Sequence, residues 1–586
     1  MLRYIDIAAN HTLLERFQIF VYGLNLDITV AGYITTLPLL LIIASVWLPL
    51  SERIYRAIFM TYYTVIYIVV ATIMAGDLGL YEYWGFRVDS SVLFYLRTPE
   101  EAMASVTFGD VAQAATAFGV MCTVMIWGYC ELSKRISLPQ MKLWQKGVST
   151  LGMLLCAGVM FIGIRGGLSS SVANLSKAYF SNEPFLNHAA VNPQFSLLST
   201  LGKEDDFVDK YQFFTTQQLS ENLEMIATPK GGTTEMLLTT ERPNILFIIG
   251  ESFSESILNH SEEGVAVMPH LRQIASSGVN FTNAIANSFR TDRGVTSALY
   301  GFPAQPRTSI MKYPSKSRKL PSLAAKLSDV GYTTEFLYGG DLNFTDMASM
   351  LYSTGWQNLW WQQNLKIKGA KQSDWGYDDS IMARYTAQRV EELDKSNVPF
   401  IATWLTLSSH EPFDVPYDKF EDRMLNAMAF SDEAVGDLIE SLRGSDAWEN
   451  LLVIIVADHA YSSFPRGIKY NSLQRHRIPL MWCGGAVEQS REVELYISQM
   501  DIVATLLAQM NIGSEEFEFS RNVLDSNFSP RGYYAFSDGF GVVDAQGAII
   551  FDNNSGQIIS AEGEGSQLEM AGKTILQRTM EVIASY

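Results

Sequence analysis

The chain is short of cysteine, of histidine and of positive charge, and each shortage closes off a class of function. Four cysteines among 586 residues cannot build a disulfide scaffold. Three of them, Cys122, Cys130 and Cys156, lie early in the chain. Cys483 stands alone in the rest, which must therefore be stabilised by its core and not by cross-links. Lys and Arg number 43 against 62 Asp and Glu, a formal charge of −19, which excludes a nucleic-acid reader because phosphate recognition needs a basic face. Charged residues are 18% of the chain, below the roughly 25% usual for soluble proteins. Apolar residues at 48% and aromatics at 12% exclude disorder. The length excludes a single small domain, for which roughly 100–200 residues would serve.

What is present is unevenly placed. Residues 1–168 carry 11 basic and 11 acidic side chains, so the whole −19 falls on the remaining 418. Four uncharged runs, 28–50, 57–76, 111–130 and 147–164, are 23, 20, 20 and 18 residues long. Those lengths suit a hydrocarbon core of about 30 Å at about 1.5 Å per helical residue. Residues 1–168 are therefore expected to be a transmembrane domain of four spans, 169–242 a connector, and 243–586 a separate domain. Arg53 and Arg56 follow the first span; Lys134, Arg135, Lys142 and Lys146 follow the third. The intervening 77–110 loop is acidic, with Asp77, Glu82, Asp89, Glu100, Glu101 and Asp110. Because short cytoplasmic loops are enriched in Lys and Arg, the basic loops are expected inside and everything after Ile164 outside. Four spans also put Met1–Asp27 outside, so either a first span precedes this chain or the first helix translocates its own terminus. Phe17–Leu26, ten apolar residues, is too short to cross and is expected at the interface.

Beyond a polar connector, with helical stretches around Val208–Ala227 and a Gly-Gly break at 231–232, the pattern changes. Short β-branched and aromatic runs (244–249, 333–338, 400–407, 451–456 and 478–482) alternate with helical periods at 321–330, 380–394, 422–443 and 500–510. Such alternation, with nearly continuous apolar strands, predicts an α/β domain with a mostly parallel central sheet covered on both faces. The segment 533–559 reads as a small antiparallel appendage with turns at 544–547 and 553–556.

Ligands of such sheets bind beyond the carboxyl ends of the strands. Glu251 follows the first strand, His410 the strand at 400–407, and Asp458 with His459 the strand at 451–456. These side chains suit Zn²⁺, Mn²⁺ or Mg²⁺, although each alone also suits a helix cap or a solvated loop. Thr291 opens an apolar helical run that ends at Gly301. A hydroxyl there lies among unsatisfied N–H groups that favour an ionised oxygen, and an ordinary N-cap Thr fits the same local sequence. Activation would need a base or a metal.

The segments NILFIIGESFSES, SFRTDRGVTSALYG, LTLSSHEPF, VIIVADHA, RHRIPLMW and QMDIVATLLAQM, in this order, resemble the sulfatase-type catalytic domain of the lipoteichoic acid synthase family, in the alkaline phosphatase superfamily. The resemblance covers roughly residues 242–515, and the multi-span N-terminal part extends it. It implies one divalent ion, commonly Mn²⁺ with Mg²⁺ or Zn²⁺ as alternatives, held by Glu251, Thr291, Asp458 and His459. It implies Thr291 as nucleophile and His410 as a contact to the substrate phosphate or headgroup. Where the family usually carries a phosphate-gripping Arg, the stretch 338–346 has none; Arg475, His476 and Arg477 are the candidate replacements. The family usually has five spans, and this chain offers four runs. The implied protein is a multi-pass enzyme of a bacterial inner (plasma) membrane with its catalytic domain outside or periplasmic. It would move a phosphoglycerol-type headgroup from a phosphatidylglycerol-like lipid, through a phospho-threonine, to an extracytoplasmic glycan or glycerol-phosphate acceptor. Two other readings stay open: a metal-dependent hydrolase of exported phosphate or sulfate esters, and a non-catalytic membrane protein with a degenerate site. Other branches fit less well. Formylglycine sulfatases need Cys or Ser where Thr291 stands, phosphoethanolamine transferases typically carry several disulfides in the exported domain, and two-metal enzymes need a second Asp/His cluster.

Overall fold

The structure is a computed structural model describing residues 3–48, 51–90, 92, 108–134, 140–201, 209–370, 372–373, 375–563 and 565–586. Glu100, Glu101 and Arg135, which entered the loop-charge argument, and Val208, which opened a helical stretch, lie outside the described residues. The chain divides into two compact units, Met1–Asp205 and Asp206–Tyr586. Residues 169–205 thus belong to the first unit and 206–242 to the second.

In the first unit, among the described residues, four helices are long and apolar enough to cross a membrane: Leu13–Trp47, Glu52–Tyr81, Val111–Ser133 and Leu143–Arg165. Thr12 and Glu15 form a capping box that starts the first of them, with the Glu15 carboxylate accepting from the Thr12 N–H at 2.7 Å. The helix then runs unbroken for 35 residues, so Phe17–Leu26 is not a separate interfacial segment. Asp27, which seemed to divide it from the apolar run, and Thr29 within that run both have partners inside the unit. Asp27 accepts from the Asn192 side chain at 2.7 Å, and the Thr29 hydroxyl donates to the Gly163 carbonyl at 3.1 Å. Small residues let the first and fourth helices approach closely: a Cβ on Gly32 would meet Ile164 at 2.5 Å. Asp77, expected in the acidic loop, instead lies within the helix Glu52–Trp84. It is buried, paired with Arg87 at 2.9 Å and accepts the Val88 N–H at 2.9 Å.

The second unit is built on an eight-stranded sheet. In chain order its strands are β1 (Asn244–Gly250), β2 (Val279–Ile285), β3 (Thr333–Tyr338), β4 (Asn358–Trp361), β5 (Phe400–Leu405), β6 (Leu451–Ala457), β7 (Leu480–Cys483) and β8 (Arg491–Ser498). Their spatial order is β8-β2-β7-β6-β1-β5-β3-β4. All neighbours are parallel except β7, which runs antiparallel to both β2 and β6. The central strands β1, β5 and β6 are buried at every position, which is why they read as continuous apolar runs. The strands missing from the sequence reading are β2, β4 and β8. β8 (REVELYIS) and β4, only four residues long, are edge strands, and β2 (VNFTNAI) is half polar. The predicted appendage is a four-stranded antiparallel sheet, β9 (Gly532–Phe536), β10 (Gly539–Val543), β11 (Gly547–Asp552) and β12 (Gln557–Gly563), followed by the helix Ser566–Ser585.

Candidate active site

The carboxyl ends of β1 and β6, side by side in the middle of the sheet, bring Glu251 and Asp458 together. The Glu251 N–H donates to the Thr406 hydroxyl at 2.8 Å, and the Ser409 hydroxyl donates to the Glu251 carbonyl at 2.7 Å. The segment after β5 thereby fixes the backbone after β1. Ser252 adopts φ +60, a left-handed conformation costly outside glycine. It is held there by its N–H donating to Asp458 Oδ1 at 2.8 Å and its hydroxyl donating to Glu251 Oε1 at 2.8 Å.

Thr291 is the first residue of the helix Thr291–Tyr300, and the N-cap is Arg290. The Thr291 hydroxyl is therefore not engaged in capping; it donates to Glu251 Oε2 at 3.2 Å. Gly294, one turn on, lies so close to the Asp458 carbonyl that any Cβ would collide with it. A glycine at this position is what lets the helix start reach the acid pair.

Within this cluster one ligand atom each from Glu251, Asp458 and His459 lies within 4.8 Å of the others. Asp458 Oδ1 accepts from the Ser252 and His459 N–H groups, whereas its Oδ2 is buried without a hydrogen-bond partner. A buried carboxylate oxygen with nothing to satisfy it calls for a cation or a proton. His459 meets the same requirement. Its Nδ1 is 3.1 Å from the Ala460 carbonyl, so as donor there it leaves Nε2 as a lone pair, 3.4 Å from Asp458 Oδ2 and 3.7 Å from Glu251 Oε1. The electrostatics agree. Burial, reinforced by the charge of Glu251, pushes the Asp458 carboxyl up to about 7. Burial alone would also raise Glu251, but His459, His410 and the Ser252 hydrogen bond hold it below its ordinary value. Burial works against charge on His459, and the two carboxylates overcome it and raise its pKa. Two carboxylates and an imidazole of this kind fit one divalent ion.

His410 lies beyond β5. Its Nδ1 is 2.6 Å from the Glu411 carbonyl, its ring packs 5.1 Å from that of Trp375, and its charge bears on Glu251. The basic trio expected to hold phosphate is dispersed. His476 is a core residue: fully buried, its ring stacked 4.0 Å from Tyr534 and its Nδ1 3.0 Å from the Ser472 carbonyl. Burial, with the charges of Arg475 and His459 adding to it, drives its pKa down to about 3, so it stays neutral. Arg477 is tied to Glu255 at 3.0 Å and to the Asn283 side chain at 2.6 Å. Arg475 lies over the Phe289 ring at 5.7 Å and senses the charge of Arg290 beside Thr291. Burial and that neighbouring cation both lower its pKa.

Sequence reasoning passed over Ser252, Gly294, Thr406, Ser409 and Asp379. Asp379 opens the helix Asp379–Asp394 and accepts from the Leu407 and Ser408 N–H groups at 2.7 and 3.0 Å and from the Ser431 hydroxyl at 2.6 Å, fixing the loop that carries His410. Small polar residues flanking a ligand are the signal for such supports, and they are too common to single out unaided.

Residues 243–512 match the family model described as Sulfatase. Phosphoglycerol transferase I of Xanthomonas campestris is 26% identical over 319 residues, covering 51% of this chain and 45% of that protein. Lipoteichoic acid synthase 1 of Bacillus subtilis is 21% identical over 403 residues, covering 62% and 59%. The chain thus spans about half the length of the curated relatives it matches. Among solved structures, an alkaline phosphatase superfamily protein from Vibrio parahaemolyticus superposes with a TM-score of 0.56 at 21% identity, covering 65% of this chain and 98% of that one. A lipoteichoic acid synthase from Listeria monocytogenes gives 0.51 at 16%, covering 64% and 98%. These structures share the α/β fold of the second unit. The chain is accordingly a membrane protein whose residues 243–512 match the Sulfatase family model, similar in sequence to a phosphoglycerol transferase and a lipoteichoic acid synthase and in fold to the two solved structures.

Proposed function

We propose that this protein is a metal-dependent phosphotransferase that moves a phosphoglycerol-type headgroup from a membrane lipid to an extracytoplasmic acceptor through a phospho-threonine. The observation that carries the reading is the Thr291 hydroxyl, free of capping work and 3.2 Å from Glu251 Oε2, at a helix start beside Asp458 Oδ2, which accepts no hydrogen bond. Glu251, Asp458 and His459, with the Thr291 oxygen, would hold the ion, Mn²⁺ being the first choice. When bound, it supplies positive charge that lowers the pKa of a coordinated hydroxyl and offsets charge on the transferring phosphoryl group. Thr291 Oγ attacks phosphorus, its proton passing toward Glu251 Oε2. The P–O bond to the lipid glycerol breaks, and diacylglycerol leaves with a proton. An acceptor hydroxyl on a glycan or glycerol phosphate then attacks the same phosphorus, and the Thr–O–P bond breaks to restore the hydroxyl. His410 contacts the phosphate or protonates the leaving alkoxide. Arg475 adds positive charge on the Thr291 side.

The apolar helices anchor the chain in a bacterial plasma membrane, and the loop charges favour a catalytic unit outside the cytoplasm. The domain scheme, 1–168 in the membrane, 169–242 connecting and 243–586 catalytic, belongs to this reading. Intact-protein mass spectrometry after incubation with phosphatidylglycerol vesicles tests the chemistry. The expected result is a phosphoglycerol adduct on the wild-type chain and none on Thr291→Ala, with turnover reduced by about 10⁴-fold. Turnover without any adduct, or with Thr291 replaced, would favour direct hydrolysis and defeat the transfer reading. A reporter inserted near Gln140 is expected in the cytoplasm and one after Arg443 outside; the reverse pattern would invert the orientation.

A further inference from the structure

The strand β4 runs parallel to β3, so the segment after Trp361 leaves the same end of the sheet that carries Glu251 and Asp458. Between this segment and the helix Asp379–Asp394 lies a cavity of about 530 Å³. Lys366, Lys368 and Arg384 line it, together with Ile367, Ile381 and Tyr385, and among the described residues no carboxylate does. Ile381, Arg384 and Tyr385 follow at helical spacing and share one face. Among the described residues the three cations form no ion pair and no hydrogen bond. In a chain of net charge −19, three cations around one concave, half-apolar surface, with no carboxylate among the described lining residues, are an unusual local surplus. The same helix begins at Asp379, which fixes the His410 loop, so cavity and candidate active site are joined by one rigid element.

We propose that this cavity is a second anion site, which binds a phosphate diester bearing glycerol or aliphatic carbons. Two lysines supply point charges and the arginine a planar fork that matches two phosphate oxygens. Ile367, Ile381 and Tyr385 take the carbon portion. A lone inorganic anion would leave that apolar wall without a partner, which is why the ligand is amphiphilic. The choice of a diester of glycerol rests on the transfer reading above; the existence of the anion site does not.

The test uses the full chain in the Thr291→Ala background, so that no covalent step can contribute. Binding is measured by titration calorimetry with soluble glycerophosphoglycerol, and by flotation with phosphatidylcholine vesicles with and without phosphatidylglycerol. A Lys366→Gln, Lys368→Gln, Arg384→Gln variant removes the charges at exposed positions, and its melting temperature shows that it folds. We expect saturable binding that weakens with salt and falls roughly 30-fold in the triple variant, as charge-assisted contacts are lost. Loss in the calorimetric arm assigns the site to a soluble diester chain; loss confined to the phosphatidylglycerol vesicles assigns it to a lipid headgroup. Absence of binding in both arms, or binding unchanged in the triple variant, overturns the proposal. Cavity-dependent binding here, together with a wild-type chain that forms no Thr291 adduct and still turns over in the mass-spectrometry test, would defeat the transfer reading and leave the anion site standing.

Discussion

Two buried acids sit on the same end of the sheet and end up with opposite roles. Asp379 has every demand met: one oxygen takes the Leu407 N–H, and the other takes the Ser408 N–H and the Ser431 hydroxyl. Asp458 is equally buried, yet its Oδ2 has no hydrogen-bond partner, and a second carboxylate, Glu251, stands beside it. Both carboxyls are pushed up by burial, to about 6 and about 7. Burial therefore does not distinguish a support from a site; the unsatisfied oxygen does. A fully bonded buried acid specifies one backbone arrangement, while an incompletely bonded one keeps capacity for a ligand.

The comparison breaks most visibly on metal. Asp458→Asn removes a ligand oxygen and should lower Mn²⁺ affinity about 10³-fold, read by metal analysis of the purified chain and by titration. A chelator should lower the melting temperature of the wild type, because the metal-free state leaves Asp458 Oδ2 unsatisfied, and should leave Asp458→Asn unmoved. Equal metal content in the two proteins would remove Asp458 from the site and put the two acids in one class.

How far the sequence alone reaches follows from the same distinction. Glu251, Asp458 and His459 were legible because each follows a buried apolar strand, and a ligand-type residue at that point is a local pattern. Thr291 was legible as a helix start, but its freedom from capping was not, since that depends on Arg290 taking the N-cap position. Of the trio 475–477, residue type alone suggested phosphate contacts for all three, whereas the stacking of His476 on Tyr534 and the pairing of Arg477 with Glu255 are long-range facts that leave Arg475 as the candidate. The unbroken helix Leu13–Trp47 was missed for a related reason. Charged Asp27 ended the apolar run at the sequence level, and only its Asn192 partner shows why it is tolerated. Edge strands β4 and β8 lack the apolar continuity that identified the others.

Asp379 sharpens the contrast through pH. Its folded-state pKa of about 6 lies above the ordinary 3.8, so between those values the folded chain holds a proton that the unfolded chain has released. Stability from this group is thus present below about pH 4, falls as pH rises to about 6 and is flat beyond, a loss of about 3 kcal/mol at most. Urea melts of the metal-free chain at several pH values should show that decline relative to Asp379→Asn, in which it is absent. Parallel curves for the two proteins would mean that Asp379 titrates normally.

The smallest effect is expected at His410. It shares its loop with Leu407 and Ser408, whose N–H groups donate to Asp379, and its charge acts on Glu251 without contributing to the ligand cluster. The Nδ1 contact with the Glu411 carbonyl leaves Nε2 as the nitrogen available to a substrate, and the Trp375 ring limits where the imidazole can turn. His410→Ala should keep the metal and the fold and lose about 30-fold in kcat/KM, equivalent to about 2 kcal/mol, as a charge-assisted contact to phosphate disappears. A local role in the Glu411–Pro412 turn predicts instead a lower melting temperature with turnover intact. Loss of the metal would make His410 a ligand and extend the incompletely bonded cluster across to β5. Full activity with full metal would leave substrate contact to Arg475 on the opposite side of Thr291.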